Sequence, residues 1–85
     1  MHKKTMKDRY ETKWLTFGKL DIPERKTDVW QIISSSSCIP LGVIKWYAQW
    51  RCYAFYPEEG TLFNASCLLD IQIFIEALMS ARKNT

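Results

Sequence analysis

Residues 41–56 read LGVIKWYAQWRCYAFY. β-Branched and aromatic residues fill both ends of this stretch, and such residues fit a pleated, half-buried strand. Ala48-Gln49 between them can form a short turn. The stretch therefore predicts a hairpin of Leu41–Tyr47 and Trp50–Tyr56. With a two-residue turn, Tyr47 opposes Trp50, Trp46 opposes Arg51, Ile44 opposes Tyr53 and Gly42 opposes Phe55. One face then carries Leu41, Val43, Lys45, Tyr47, Trp50, Cys52, Ala54 and Tyr56. The other carries Gly42, Ile44, Trp46, Arg51, Tyr53 and Phe55.

Upstream, Asp28–Ile33 (DVWQII) reads as a third strand. Ser34–Ser37 and Cys38-Ile39-Pro40 follow as a loop, because the hydroxyls compete for backbone hydrogen bonds and Pro40 lacks a donor. Downstream, Pro57-Glu58-Glu59-Gly60 ends the hairpin with turn chemistry. Asn64 then offers an N-cap, and residues 65–83 contain neither Gly nor Pro. At 100° per residue, Cys67, Leu68, Ile71, Phe74, Ile75, Leu78 and Met79 form one broad stripe. Asp70 near the start of this helix and Arg82 and Lys83 near its end suit the macrodipole.

These elements give an α+β fold: a three-stranded antiparallel β-meander packed against one C-terminal α-helix. Val43, Cys52 and Ala54 are small enough to seat a helix, so the helix is expected on their face. Trp46, Tyr53 and Phe55 would then stand around Arg51 as an apolar patch, and patches of this kind mark contacts. Leu69 and Ile73 project from the opposite side of the helix, near Glu76, Ala77 and Ser80. They require cover from residues 14–22 or from another chain.

Eighty-five residues make one domain. Residues 1–9 are polar and charged and read as a disordered basic tail, leaving 10–85 as the domain. Within it, residues 10–27 read as an irregular or extended segment packing on the rest, since Trp14, Leu15, Phe17, Leu20 and Ile22 are too apolar for a linker. The net charge of +3 is uneven. Residues 1–27 hold eight Lys and Arg against four acids, a balance of +4, and residues 28–85 hold four against five, a balance of −1. A basic segment of this kind attracts phosphate, and Lys19, Arg25 and Lys26 are the candidate contacts.

Little in the chain supports catalysis. The single histidine, His2, lies in the tail, and Cys38, Cys52 and Cys67 show no metal-ligand spacing. Cys67 belongs to the apolar helix stripe and reads as buried and inert. Glu58 and Glu59 read as solvated turn carboxylates. No phosphate-binding glycine loop is present. The sequence thus predicts no enzyme, no catalytic residue, no metal and no cofactor. With no secretory h-region and no apolar run approaching the roughly 20 residues of a membrane span, free thiols in a reducing cytoplasm are expected.

The stretch Gly42–Met79 resembles a group of small proteins common in bacteriophages and integrated elements. Their pattern is W-Y-x-x-W-R-x-Y-x-F, a turn, then F-N-x-x-C-L-x-D-I-x-x-F-I. It is matched by Trp46, Tyr47, Trp50, Arg51, Tyr53, Phe55, Phe63, Asn64, Cys67, Leu68, Asp70, Ile71, Phe74 and Ile75. The resemblance implies phage or mobile-element origin and a bacterial host cytoplasm, and it carries no activity. In outline the chain is also similar to AP2-type and integrase arm-binding DNA domains, which lay a three-stranded sheet in the major groove. Gly42-Val43 and Trp50-Arg51 match those in place, although this sheet brings only Lys45 and Arg51 where they carry several strand arginines.

Two functions follow as expectations. The first is a protein-interaction module, docking an unidentified protein or a second copy as a homodimer. Its candidate surface is Trp46, Arg51, Tyr53, Phe55 and Lys45, with Leu69 and Ile73 as a helix interface. The alternative is a nucleic-acid-binding module using the same sheet residues and the basic segment.

Overall fold

Five strands form one antiparallel sheet in the computed structural model, which describes residues 8–83. They are β1 (Arg9–Glu11), β2 (Leu15–Leu20), β3 (Val29–Ser34), β4 (Pro40–Tyr47) and β5 (Cys52–Pro57), followed by the helix α1 (Ala65–Lys83). Strand order follows chain order, so the sheet is a meander. The α+β class, the meander and the C-terminal helix agree with the sequence reading, but the strand count is five rather than three. Residues 9–20 supply the two additional strands. Instead of lying across the sheet they extend it, with Phe17 opposite Ile32 and Tyr10 opposite Phe17. Of the basic tail expected at residues 1–9, residues 1–7 lie outside the described residues, and Arg9 opens β1.

Alternation along β2 and β3 decides which face takes the helix. Leu15 and Phe17, then Trp30 and Ile32, point to one side, and the register aligns them with Ile44 and Tyr53. These six residues are buried together with Cys67, Ile71 and Phe74 of α1. The helix therefore covers the face of Ile44, Trp46, Tyr53 and Phe55, and the expected seat on Val43, Cys52 and Ala54 is corrected. A small seat matters less than the apolar area removed from water, at about 25 cal/mol per Å². Phe17, Trp30, Trp46, Tyr53 and Phe55, with Leu15, Ile32 and Ile44, all lie on this side.

Phe74 anchors the contact. Its ring stacks on Phe17 at 4.3 Å between centroids and meets Trp30 edge-on at 4.9 Å. Tyr10 closes the cluster from β1, 5.8 Å from Phe74. Ile75, Leu78 and Met79 pack at the margin of the core. Leu68 departs from the expected stripe and is 53% exposed. At the helix start, the Cys67 amide donates to Asn64 Oδ1 at 2.8 Å, so Asn64 is the N-cap.

Two local features set the geometry of β4 and β5. Gly42 has a φ of +154°, and a Cβ there would stand 2.5 Å from the Tyr56 carbonyl oxygen and 2.7 Å from a Phe55 ring carbon. Only glycine fits. The hairpin loop is four residues long (48–51) rather than two, because Tyr47 pairs with Cys52 and Trp46 with Tyr53. Arg51 closes it in the left-handed region, at φ 55°. The register moves by two residues, so side chains within the strands keep their faces, while Arg51 leaves the sheet.

The serine loop stitches the other end of the sheet. The Ser35 amide donates to the Trp14 carbonyl at 3.0 Å, and the Ser35 and Thr16 hydroxyls lie 3.0 Å apart. The Ser34 carbonyl accepts from the Cys38 amide at 2.8 Å.

Candidate functional site

The second face of the sheet carries no described element. Arg9, Gly18, Gln31, Val43 and Tyr56 stand side by side across all five strands, each the partner of the next in the register. Beside this row lie Ile33, Lys45, Tyr47, Cys52 and Ala54, which like Gln31, Val43 and Tyr56 are half-buried by their neighbours. Nothing lies within 4 Å of a Cβ built on Gly18, whose position in the strand alternation puts it on this face. Its φ is ordinary, so neither sterics nor backbone requires glycine there. Glycine inside a strand weakens it and commonly marks a close approach of another backbone or a ligand.

The β4–β5 side of this face holds an aromatic slot. Its volume is about 290 Å³, and Tyr47, Trp50, Ala54, Phe55 and Tyr56 line it. Strand alternation puts Tyr47, Ala54 and Tyr56 on one side, and the methyl group of Ala54 leaves the gap between larger neighbours. Trp50 meets Tyr47 edge-on at 4.9 Å and is 71% exposed. The Tyr47 hydroxyl donates to Gln49 Oε1 at 2.6 Å, which fixes that ring. Lys45 Nζ lies 4.7 Å from the centroid of the Tyr56 ring, within cation–π range. The slot is thus lined by aromatic rings, with one ammonium group beside it.

Of the residues singled out from the sequence, Trp46 meets Tyr53 edge-on at 5.4 Å, and Trp46 and Arg51 line one pocket with Met79 and Arg82 of the helix. Tyr53 is buried under the helix, and Trp46 and Phe55 pack against the core. Arg82 lies over the Trp46 ring at 3.9 Å, and Phe63 meets Phe55 edge-on at 5.2 Å. Arg51 is exposed in the hairpin loop, while Lys45 is on the open face. What is corrected is the expectation of an uncovered sheet patch: Tyr53 is buried, and Trp46 and Phe55 are half-buried beside the helix, while Arg51 is exposed in the loop.

Lys19 reaches Asp28 at 3.7 Å and Asp8 at 3.9 Å, so its charge is already matched by two carboxylates. Arg25 and Lys26 are exposed in the loop between β2 and β3. Leu69 and Ile73 are 53% and 50% exposed, and residues 14–22 do not cover them. Cys38 is exposed, Cys52 half-buried and Cys67 buried, all as free thiols. Among the described residues no three of His, Cys, Asp or Glu gather into a metal-holding group, and His2 lies outside them. No helix of the described residues is long and apolar enough to cross a membrane.

The open edges of the sheet are blunted. At the outer edge of β5 the Tyr53 amide donates to Met79 Sδ at 3.4 Å. By alternation the next outward amides fall at Phe55 and at Pro57, which has none. On the opposite edge β1 is three residues long and bears the Arg9–Glu11 ion pair, at 3.3 Å. Short, charged or proline-bearing edges resist strand addition. Strand addition is therefore disfavoured at the edges of the described sheet.

Fold and site together define a small α+β protein whose helix covers one face of the sheet and whose second face carries no element among the described residues. A protein of Acholeplasma phage L2 that bears the description "Uncharacterized 9.3 kDa protein" is 32% identical over 76 residues, which are 89% of this chain and 97% of the phage protein. The chain belongs to the family of that phage protein. No protein-family model matches it, and no solved structure does.

Proposed function

We propose that this is a non-enzymatic protein-interaction module, encoded by a phage or mobile element, which docks a protein on the open face of its sheet. The observation that carries the reading is the aromatic slot of Tyr47, Trp50 and Tyr56 around Ala54, on a sheet face with no described covering element. Tryptophan, tyrosine and a nearby cation are the composition of binding hot spots. Gly18 supports the reading, because its open position admits close approach at the other side of the same face.

The charges favour a protein over a nucleic acid. Nucleic-acid affinity rests on phosphate neutralisation. On this face Arg9 is paired with Glu11, and Lys45 is the remaining cation within the strands. Glu58 and Glu59 follow β5 directly, beyond Tyr56.

The test compares the tagged wild-type chain with Ala54→Glu and Leu69→Lys as baits in lysate of the producing cells. Glu at position 54 fills the slot and stands opposite Lys45, so the fold is retained. A specific protein held by the wild type and by Leu69→Lys, and lost by Ala54→Glu, is the expected result. Equal capture by all three contradicts the reading. Salt-sensitive binding of a single-stranded oligonucleotide that is lost in Ala54→Glu would transfer the site to the nucleic-acid alternative.

A further inference from the structure

On the helix-covered side, at the β4–β5 loop, the molecule gathers positive charge around a cavity. The cavity has a volume of about 530 Å³ and is lined by Trp46, Arg51, Met79 and Arg82. Three segments build it: β4 gives Trp46, the loop gives Arg51, and α1 gives Met79 and Arg82. Its apolar walls are held in place. Trp46 packs edge-on against Tyr53, and the Met79 sulfur accepts from the Tyr53 amide at 3.4 Å. The Arg82 guanidinium lies 3.9 Å from the centre of the Trp46 ring, a stack that keeps its charge at the cavity.

Arg51 is the unusual member. Its φ of 55° lies in the left-handed region, which burdens any residue with a Cβ and suits glycine. Its side chain makes no hydrogen bond or ion pair among the described residues, where the ion pairs engage Arg9 and Lys19. Neither the backbone nor a polar contact within the described chain accounts for arginine at this position. Strained positions of this kind gather at ligand clamps.

The charge of the cavity selects the ligand. Among the described residues its lining contains two guanidinium groups and no carboxylate. The C-terminal end of α1 returns about half a negative charge, which leaves a balance of about +1.5. A phosphomonoester carries about −1.5 to −2 at neutral pH and matches it. A carboxylate or a phosphodiester, with a single charge, does not.

We infer that this cavity is a binding site for a small phosphomonoester, such as a nucleoside monophosphate. The phosphate lies between Arg51 and Arg82, and the Arg51 fork donates to its oxygens. The rest of the ligand lies against the Trp46 ring and the Met79 thioether. The volume is in the range of small-molecule sites. The inference uses the side of the sheet opposite the docking face and stands apart from that reading.

The test is an NMR titration of the full-length chain at low salt, following the Met79 methyl and the Trp46 indole N–H. Inorganic phosphate, adenosine monophosphate, dimethyl phosphate and acetate are the probes. Phosphate should saturate these signals with a dissociation constant of roughly 1 mM, and adenosine monophosphate should bind at least as tightly. The singly charged dimethyl phosphate and acetate should bind about tenfold more weakly or not at all. Arg51→Gly relieves the left-handed backbone and so keeps the fold, and it should weaken phosphate binding about tenfold. Arg51→Lys retains the charge and should recover affinity to within about threefold of the wild type. Lys13→Gln, at the opposite end of the sheet, removes one charge from the protein as a whole and should leave binding unchanged.

No saturation by phosphate below about 20 mM, acetate bound as tightly as phosphate, or Arg51→Gly binding like the wild type overturns the inference. So does an equal loss of affinity in Lys13→Gln, which would reduce the effect to net charge.

Discussion

The two faces of the sheet are made by the same strands, yet they differ in what a side chain is for. Under the helix, Leu15, Phe17, Ile32 and Ile44 are at most 1% exposed, and Phe74 reaches across to three strands. On the other side the row from Arg9 to Tyr56 mixes a charge, a glycine, an amide, a valine and a phenol. One face is composed for exclusion of water. The other mixes apolar and polar groups, most of them half-buried by their neighbours. A chain of 85 residues has a limited core. Concentrating its largest rings on one side lets that side hold the fold and leaves the other free to vary.

The sharpest way to break this comparison is to truncate one ring on each face. Phe17→Ala removes a fully buried ring at the centre of the aromatic cluster and should cost about 3–5 kcal/mol by urea unfolding. Tyr56→Ala, on the open face, should cost about 1 kcal/mol or less, since the ring is only half-buried. Equal losses would mean that both faces serve the core.

The two strand glycines repeat the contrast at smaller scale. Gly42→Ala drives a methyl group against the Tyr56 carbonyl and the Phe55 ring, and should destabilise by about 2–3 kcal/mol. A Cβ at position 18 meets nothing within 4 Å and valine has the better strand propensity, so Gly18→Val should stabilise by up to about 1 kcal/mol. If Gly18 instead serves the docking of a partner, the same variant loses the protein held in the capture experiment while its thermal midpoint rises. That combination separates a binding role from a structural one.

The helix and its cap were legible from spacing alone: Asn64, the run without glycine or proline, and six of the seven stripe residues are where periodicity puts them. Strand alternation likewise sorted the side chains of β4 and β5 correctly, even with the wrong loop length, because a two-residue shift preserves parity. Which face is buried was not legible from the hairpin, where each side carries rings. That choice is made by Leu15, Phe17, Trp30 and Ile32, and it becomes visible only once residues 15–20 are taken as a strand. The sequence hides this strand. Gly18 and Lys19 interrupt its apolar pattern, and Pro23 with the charged residues after it resembles the end of a linker. The slot itself follows from Tyr47, Ala54 and Tyr56 sharing a side, but its importance depends on that side being open.

Smaller still is the effect at Arg51, whose φ of 55° is costly for any residue with a Cβ. Arg51→Gly should raise stability by about 0.5–1 kcal/mol in the same urea titration, since glycine adopts this conformation freely. A loss instead would mean that the Arg51 side chain contributes to the covered side.

Proton NMR contacts of the Phe74 ring decide the side on which the helix packs. Cross-peaks to Phe17 and Trp30, with none from any residue of α1 to the methyl groups of Val43 and Ala54, are what this arrangement produces. Cross-peaks from α1 to Val43 and Ala54 would place the helix on the face argued to be open, and would contradict the account.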